Sequence, residues 1–177
     1  MRVLVRAGVT GLTSRAVTTE ADVAKGVLHR HFADFDAFLT ELVLDRIAQV
    51  NGQAIALQDA AGTGTVADNL TRALMTLFEP VMVAIVGLVI TRDELRTRLR
   101  AAGTARFPLV GEGTAMIAGY LTAERDHGRL VSGADVETLA PTLIGAAHLL
   151  FTEQTGSPPE PRTVRKVVTT VLASAMR

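Results

Sequence analysis

Apolar residues in this chain recur mainly at intervals of three and four, which is the period of an amphipathic α-helix, whereas alternating strand patterns are hard to find. The strongest constraint is residues 81–90, which are apolar on every side. A helix of this kind must be buried on all faces or lie in a membrane. The apolar run, counted from Pro80, is 11 residues long, and a membrane span needs about 20. The sequence therefore predicts an all-α protein, without a membrane span, in which other helices surround this segment.

The composition supports a folded chain and excludes several kinds of chemistry. Apolar residues make up 48% of the 177 residues, which rules out disorder as the main state. The absence of cysteine excludes disulfides, thiolate catalysis and Cys-ligated metal centres. No signal peptide is predicted, since Arg6 interrupts a short apolar stretch. We expect a cytoplasmic protein, and the excess of Arg over Lys is typical of a GC-rich bacterial genome.

Glycine and proline clusters separate the predicted helices. Gly8 and Gly11 break the opening segment, and Gly128 is a typical stop for the helix before it. Pro80 suits the first turn of a helix. The helices predicted after residue 35 cover 36–50, 66–79, 81–90, 93–102, 112–127, 135–151 and 162–176.

The first 32 residues have the layout of a helix-turn-helix. A short helix is predicted to start at Thr13, a break follows at residues 21–23, and a second short helix covers 25–31. In such a unit the second helix enters the major groove of DNA and the first crosses the backbone. Residues 1–33 also carry a local charge of +3, from five basic residues minus two acidic ones, although the whole chain has a net charge of +0.

The residues of this segment resemble the ungapped pattern of the TetR family of bacterial transcriptional regulators. Val17 stands where that pattern has an isoleucine. The residues that fall on the pattern are Gly8, Thr13, Ala21, Val23, Gly26, Leu28, His31 and Phe32. The resemblance implies a DNA-binding domain at 1–47, with an apparently short first helix, and an effector-binding and dimerisation domain at 48–177.

The resemblance also implies roles for individual residues. The second helix would present Lys25, Val27, His29 and Arg30 to the groove or its rim, and Gly26 would allow close backbone approach. The predicted phosphate and backbone contacts are Thr13, Arg15 and His31.

Five positions depart from the family pattern. Asp22 stands at the usual turn glycine, where a left-handed backbone is needed. Ala24 replaces the usual serine cap of the recognition helix, and Thr18 replaces a buried alanine and so needs a hydrogen bond. His29 replaces a tyrosine, and Phe35 replaces a lysine that often touches phosphate.

Enzyme, metal and cofactor sites are not predicted. His29 and His31 are two residues apart on a helix and point about 200° apart, so they cannot chelate one ion. Asp34 and Asp36 are better explained as helix-capping groups. The segment 62–64 lacks the strand and lysine of a phosphate loop, and no Gly-x-Ser-x-Gly motif occurs. The arginines at 92, 96, 98, 100 and 106 are interpreted as a solvated face with Asp93 and Glu94 as local partners, or as an anion-attracting patch.

The larger region is expected to bind an apolar small molecule and to form a homodimer. A filled core is the alternative to the effector pocket, because methionine often fills gaps. His148 is better explained as an interface or core histidine than as a ligand contact. The predicted pocket residues are Met75, Phe78, Met82, Met116 and Tyr120. The predicted dimer interface, in a four-helix arrangement of the last two helices, is Gly145, Ala146, His148, Val168 and Leu172.

The sequence thus predicts a regulator, a repressor released from a palindromic double-stranded DNA operator by a small apolar molecule. The alternative is a helical small-molecule-binding or scaffold protein whose reader head no longer binds DNA. The departures at Asp22, Ala24 and Phe35 keep this alternative open.

Overall fold

The predicted fold class is confirmed by a computed structural model, which describes residues 1–153 and 158–177. Within these residues the regular structure is helical, apart from one isolated bridge between Leu130 and Met176. The helices are α1 Arg2–Gly11, α2 Ser14–Glu20, α3 Gly26–His31, α4 Phe35–Asp59, α5 Val66–Leu77, α6 Pro80–Thr91, α7 Asp93–Ala101, α8 Val110–Asp126, α9 Val136–Glu153 and α10 Pro161–Val171.

Several helix ends follow from the residues predicted to form them. Pro80 is the first residue of α6, where its missing N–H costs no hydrogen bond. Gly128 has φ +72, and its left-handed backbone prevents α8 from continuing beyond Asp126. Gly8 has φ +65 and kinks α1 at the predicted break. The end predicted for α4 at Val50 was wrong, because the helix continues to Asp59.

The helices group into two compact units. The first unit contains residues 1–48 and 80–109, and the second contains residues 49–79 and 110–177. Helix α4 contributes residues to both. The segment 80–109 therefore packs with the N-terminal helices, although it lies far from them in the sequence. The assignment of residues 1–47 to DNA binding and of residues 48–177 to effector binding and dimerisation stays a prediction.

In the first unit, α6 packs on α1 and α7. The expectation that α6 is buried on every face was wrong in part, because Ile90 is 60% exposed and Val83 and Val86 are half-buried. An apolar sequence determines what a helix can bury but not how many neighbours surround it. The fully buried core side chains of this unit include Leu4, Leu39, Ile85, Leu88, Leu95 and Leu99.

In the second unit, α8 packs on α9, and α10 packs on both α5 and α9. Val168 is 0% exposed and Leu172 is 1% exposed, so both belong to the core of this unit. Their assignment to a dimer interface is corrected: the apolar stripe of α10 is covered by α5 and α9 of the same chain. The remaining predicted interface residues differ, since Gly145 is exposed and Ala146 and His148 are half-buried.

No single helix among the described residues is long and apolar enough to cross a membrane. Only α5 and α6 together, across the break between them, reach that length and hydropathy.

Candidate nucleic-acid interface

Helices α2 and α3 form the predicted helix-turn-helix. The Thr13 side chain caps α2, because its Oγ1 accepts a hydrogen bond from the Ala16 N–H at 3.1 Å. Thr18 is buried, and its hydroxyl lies 3.0 Å from the Ser14 carbonyl and 3.1 Å from the Arg15 carbonyl. The expectation that this threonine needs a hydrogen bond is confirmed. Its polar group is satisfied inside its own helix, so it does not disturb the packing of α2.

Asp22 forms the turn between the two helices with a left-handed backbone, φ +53. The next residue, Val23, donates its N–H to the Thr18 carbonyl at 3.0 Å, which closes the end of α2. A left-handed backbone is less favourable for aspartate than for glycine, so the aspartate lowers the stability of this turn.

The residues predicted to contact DNA lie on the surface of this unit. Seven are exposed, and Val27 is half-buried. Among the described residues, Arg15, Lys25 and Arg30 have no carboxylate partner. The exposed residues are Thr13, Arg15, Lys25, Gly26, His29, Arg30 and His31.

Two other arginines of the N-terminal segment share one carboxylate partner, Glu20. Arg2 Nε lies 2.6 Å from one oxygen of Glu20, and Arg6 Nη2 lies 2.9 Å from the other. Hydrogen bonds from Arg2 and then Arg6 lower the pKa of Glu20, so this carboxylate stays ionised. The basic residues of 1–33 that have no carboxylate partner among the described residues therefore lie on α2 and at the recognition helix.

His29 and His31 both lie on α3, as the argument against a shared metal ion requires. Within the residues that the structure describes, no group of three or more His, Asp or Glu side chains is placed to hold a metal ion.

Helix α3 begins without a side-chain cap. Val27 donates its N–H to the Ala24 carbonyl at 2.9 Å, and the Ala24 side chain offers no acceptor to the remaining free N–H groups. The loss of the serine cap predicted at this position is thus visible in the structure.

We expect Ala24→Ser to stabilise the head. A serine hydroxyl at this position accepts from the free N–H groups of the first turn, which raises the free energy of unfolding by about 1 kcal/mol. Urea denaturation of the two proteins measures the difference. Ala33→Ser, at an exposed position outside α3, is the control, and an equal change in both variants would contradict the cap.

The first turn of α4 follows the recognition helix after three residues. The start of α4 contacts α7 and also Arg92, the residue before α7. Asp34 accepts from the Ala37 N–H at 2.7 Å, which confirms its role as a cap. The Arg98 guanidinium reaches the same carboxylate with two hydrogen bonds of 2.9 Å, and it lowers the pKa of Asp34. Arg92 Nη2 lies 2.9 Å from Asp36. These contacts join positions about 60 residues apart, and no local pattern in the sequence predicts them.

Tyr120, a predicted pocket residue, lies in a buried polar network of the second unit. Its hydroxyl accepts from Asn69 Nδ2 at 3.0 Å. Burial, and then the nearby Glu124 carboxylate, raises the pKa of Tyr120. Glu124 is itself 0% exposed. The Tyr120 hydroxyl is therefore engaged with side chains of its own chain.

Glu124 and its neighbours hold the loop between α4 and α5, residues 60–65. One Glu124 oxygen, Oε2, lies 3.3 Å from the Gly62 N–H and 3.2 Å from Arg129 Nε. Arg129 also donates to the Gly64 carbonyl at 2.7 Å, and Asn69 donates to the Thr63 carbonyl at 2.9 Å. We call this set of contacts the loop clasp. Among the described residues, the other Glu124 oxygen is buried without a hydrogen-bond partner.

The other predicted pocket residues fall in both units. Met116 and Phe78 are buried in the second unit, where Met75 is half-buried. The Phe78 ring stacks on Phe151 at 5.4 Å between centroids and lies 6.1 Å from the ring of His148. Met82 is buried in the first unit. Their role in ligand binding stays a prediction.

No protein-family model matches the sequence, and no curated protein matches it. Solved structures, however, are similar over nearly the whole chain. A structure described as a TetR-family transcriptional regulator from Mesorhizobium loti has a TM-score of 0.68 and 15% identity, covering 99% of this chain and 92% of that one. One so described from a Rhodococcus species has a TM-score of 0.66 and 19% identity, covering 99% and 93%.

A third similar structure is described as a ketosteroid transcriptional regulator of Mycobacterium tuberculosis. Its TM-score is 0.64 at 17% identity, and the match covers 99% of this chain and 90% of that one. The shared architecture, together with the helix-turn-helix that the structure contains, confirms the resemblance seen in the sequence. The chain has the fold of the TetR family of transcriptional regulators.

Proposed function

We propose that the chain is a DNA-binding transcriptional regulator whose recognition helix is α3. The observation that carries this proposal is the exposed, unpaired positive charge of Arg15, Lys25 and Arg30 on a helix-turn-helix of intact geometry. Cations on such helices neutralise DNA phosphates and read base edges. Residues 1–47 would form the reader head, supported by the segment 80–109 that packs in the same unit. Such a protein would act in the bacterial cytoplasm on a palindromic operator.

Selection from random DNA duplexes tests the proposal directly, and we expect an enriched site. Lys25→Ala and Arg30→Ala should each weaken binding to that site. A lost phosphate contact flattens the log–log dependence of affinity on salt by about 0.9. A lost base contact costs about 1–3 kcal/mol and relaxes sequence preference at one position. Electrophoretic or fluorescence titration over a salt series separates the two cases.

Arg162→Ala is the control for these variants, because Arg162 is an exposed arginine of the second unit. If no duplex is enriched, or if the control weakens binding as much as the head variants do, DNA reading by α3 is contradicted. The alternative, a helical binding or scaffold protein, would then be preferred.

Gly26 offers a test that separates DNA contact from folding. It is the first residue of α3, and a Cβ placed on it meets no heavy atom within 4 Å. We expect Gly26→Ala to leave the free energy of unfolding unchanged or to raise it by up to about 1 kcal/mol, because alanine favours the helix. We expect the same variant to lose about 1–3 kcal/mol of operator affinity, because the methyl group keeps α3 from its closest approach to the groove.

Thermal denaturation and DNA titration on the same preparation measure the two effects of Gly26→Ala. Gly52→Ala on α4, where a Cβ also meets nothing within 4 Å, is the control. Equal operator affinity for both variants would show that α3 does not approach DNA through this residue.

We further propose that the chain is a repressor, and that the region 48–177 binds an apolar effector which releases it from DNA. The long apolar side chains of Met116 and Phe78 in the second unit support an apolar ligand. The similarity to a ketosteroid regulator supports the same class, since a ketosteroid is largely apolar. Effector and operator would be coupled because each favours a different geometry of the dimer.

A thermal-shift screen of hydrophobic small molecules tests the effector. A ligand at 100 times its dissociation constant stabilises the protein by about 2.7 kcal/mol, and it should also weaken the operator complex. Ligands that stabilise the protein but leave DNA affinity unchanged would contradict the coupling and favour a simple binding protein.

We propose a homodimer that uses the exposed face of α9. Pro141, Gly145 and Leu149 lie four residues apart on this helix, and all three are exposed. Such spacing places them in one stripe. Leu149 is 61% exposed, so its apolar side chain is accessible to a second copy of the chain. Two copies of this face would pair about a twofold axis.

A further inference from the structure

We propose that Arg92 and Arg98 are positioning residues for the recognition helix, a role that rests on the proposed reading of DNA by α3. Together with Asp34 and Asp36 they form what we call the arginine clamp. The clamp joins α7 and the residue before it to the first turn of α4. Since only residues 32–34 separate the end of α3 from the start of α4, the clamp determines where the recognition helix lies on the head.

The Arg98 pair has the geometry of a rigid contact. Nη1 and Nη2 donate to the two oxygens of Asp34, each at 2.9 Å, and Nε donates to Glu94 at 2.8 Å. Three of the guanidinium nitrogens are thus held by two carboxylates. Bidentate pairs of this kind have a defined direction as well as strength.

The carboxylate that Arg98 binds is also the one that starts α4. Asp34 Oδ1 accepts from the Ala37 N–H at 2.7 Å, so the same side chain orients both the guanidinium and the first helical turn. A displacement of α7 therefore displaces the beginning of α4.

Arg92 continues the contact toward α3 through aromatic rings. Its guanidinium carbon lies 5.7 Å from the centroid of the Phe35 ring, and Phe35 stacks on Phe38 at 5.7 Å. Phe38 meets the edge of Phe32 at 5.3 Å. Phe32 ends the recognition helix, because its N–H donates to the Leu28 carbonyl at 2.9 Å. An unbroken series of contacts thus runs from Arg92 to the last turn of α3.

The other side of the clamp is anchored in the core of the same unit. Arg96 of α7 donates to the Val89 carbonyl at 3.1 Å, at the end of α6, and pairs with Asp93. Helix α6 packs on α1, and α7 buries Leu95 and Leu99 completely. The clamp therefore holds the start of α4 against a packed part of the head rather than against a mobile surface.

Hydrogen exchange without DNA tests the clamp by itself. Arg92→Gln removes the ion pair with Asp36, and Arg98→Gln removes the pairs with Asp34 and Glu94. Their control is Arg100→Gln, because Arg100 is an exposed arginine of the same helix that bonds to the Arg96 carbonyl. We expect the Phe32 amide and the other hydrogen-bonded amides of α3 to exchange about fivefold faster in the two clamp variants than in the control. Equal exchange in all three would overturn the proposal.

Asp34→Asn tests the consequence of the clamp for DNA binding. Simple electrostatics and the clamp predict opposite changes in DNA affinity for this variant. Asparagine keeps the helix cap but removes the charge that binds Arg98. Simple electrostatics predicts tighter DNA binding when a carboxylate is removed from a DNA-binding head. The clamp predicts binding that is about fivefold weaker, because the displaced recognition helix loses contacts. Equal or tighter binding by Asp34→Asn would overturn the proposal.

The salt dependence separates positioning from direct contact. If Arg98 touched a phosphate, Arg98→Gln would flatten the log–log salt slope by about 0.9. A positioning residue has no phosphate contact of its own, so Arg98→Gln should change the slope no more than Asp34→Asn does. The double variant Arg98→Gln with Asp34→Asn should bind about as weakly as either single variant, because both remove the same contact. A slope that is flatter by about 0.9 for Arg98→Gln than for Asp34→Asn, or additive losses of affinity in the double variant, would overturn the positioning role. If the wild-type chain selects no DNA site, the proposed function fails, whereas the exchange experiment still decides the clamp.

Discussion

Replacing Glu124 by alanine should strongly destabilise the second unit. Glu124 is fully buried and binds both the Gly62 N–H and Arg129. Removal of one member of a buried ion pair costs about 3–5 kcal/mol, because the partner charge is left without compensation. Arg129 is 25% exposed and keeps its bond to the Gly64 carbonyl. We therefore expect a loss of about 2–4 kcal/mol in the free energy of unfolding, measured by urea denaturation.

A double-mutant cycle isolates the Glu124–Arg129 interaction from the loss of packing. Arg129→Ala alone should cost less than Glu124→Ala, and the double variant should cost less than the sum by about 1–3 kcal/mol. Asp126→Ala is the control on the same helix, because Asp126 is exposed and should change stability by no more than about 0.5 kcal/mol. If Glu124→Ala behaves like this control, the loop clasp does not stabilise the fold.

Leu149→Arg should convert the dimer to a monomer without unfolding the chain. In a twofold interface each substitution occurs twice, so two arginines are brought into a contact that had been apolar. Like charges placed together cost several kcal/mol, which raises the dimer dissociation constant by about a hundredfold or more. Sedimentation at micromolar concentration should then show the 18.8 kDa protomer. Operator affinity should fall as well, because two half-sites are no longer bound together.

Ile55→Arg is the matched control for the dimer. Ile55 is 65% exposed and Leu149 is 61% exposed, so the two substitutions place the same charge on similarly exposed apolar positions of the second unit. Only the residue in the interface should change the state of assembly. A wild-type monomer, or a Leu149→Arg dimer, would contradict the use of this face of α9.

Local features of the reader head were predictable from short stretches of sequence. The left-handed backbone of Asp22, the internal hydrogen bond of Thr18 and the cap formed by Asp34 all depend on groups within about four residues of each other. Such groups are brought together by helix and turn geometry alone, so residue identity and spacing are sufficient information. The helical fold class followed for the same reason, from the period of the apolar residues.

The loop clasp of the second unit and the arginine clamp depend on contacts that no local pattern contains. Glu124 meets Gly62 across 62 residues, and Arg98 meets Asp34 across 64. In the sequence, Arg98 has Glu94 one helical turn away, and this local pair does form at 2.8 Å. The local pattern therefore predicted the Arg98–Glu94 contact but not the Arg98–Asp34 contact, because one guanidinium can donate hydrogen bonds to more than one carboxylate.

The sequence by itself determined that the apolar stripe of α10 had to be covered, and that α2 and α3 had to form a turn-linked pair with positive charge. Only the tertiary structure decided what covers the stripe. Val168 and Leu172 are enclosed by the chain's own α5 and α9, whereas Leu149 is exposed. The physical reason is that the hydrophobic effect is non-directional: it determines that an apolar surface leaves water, and the packing of neighbouring elements determines which surface it meets.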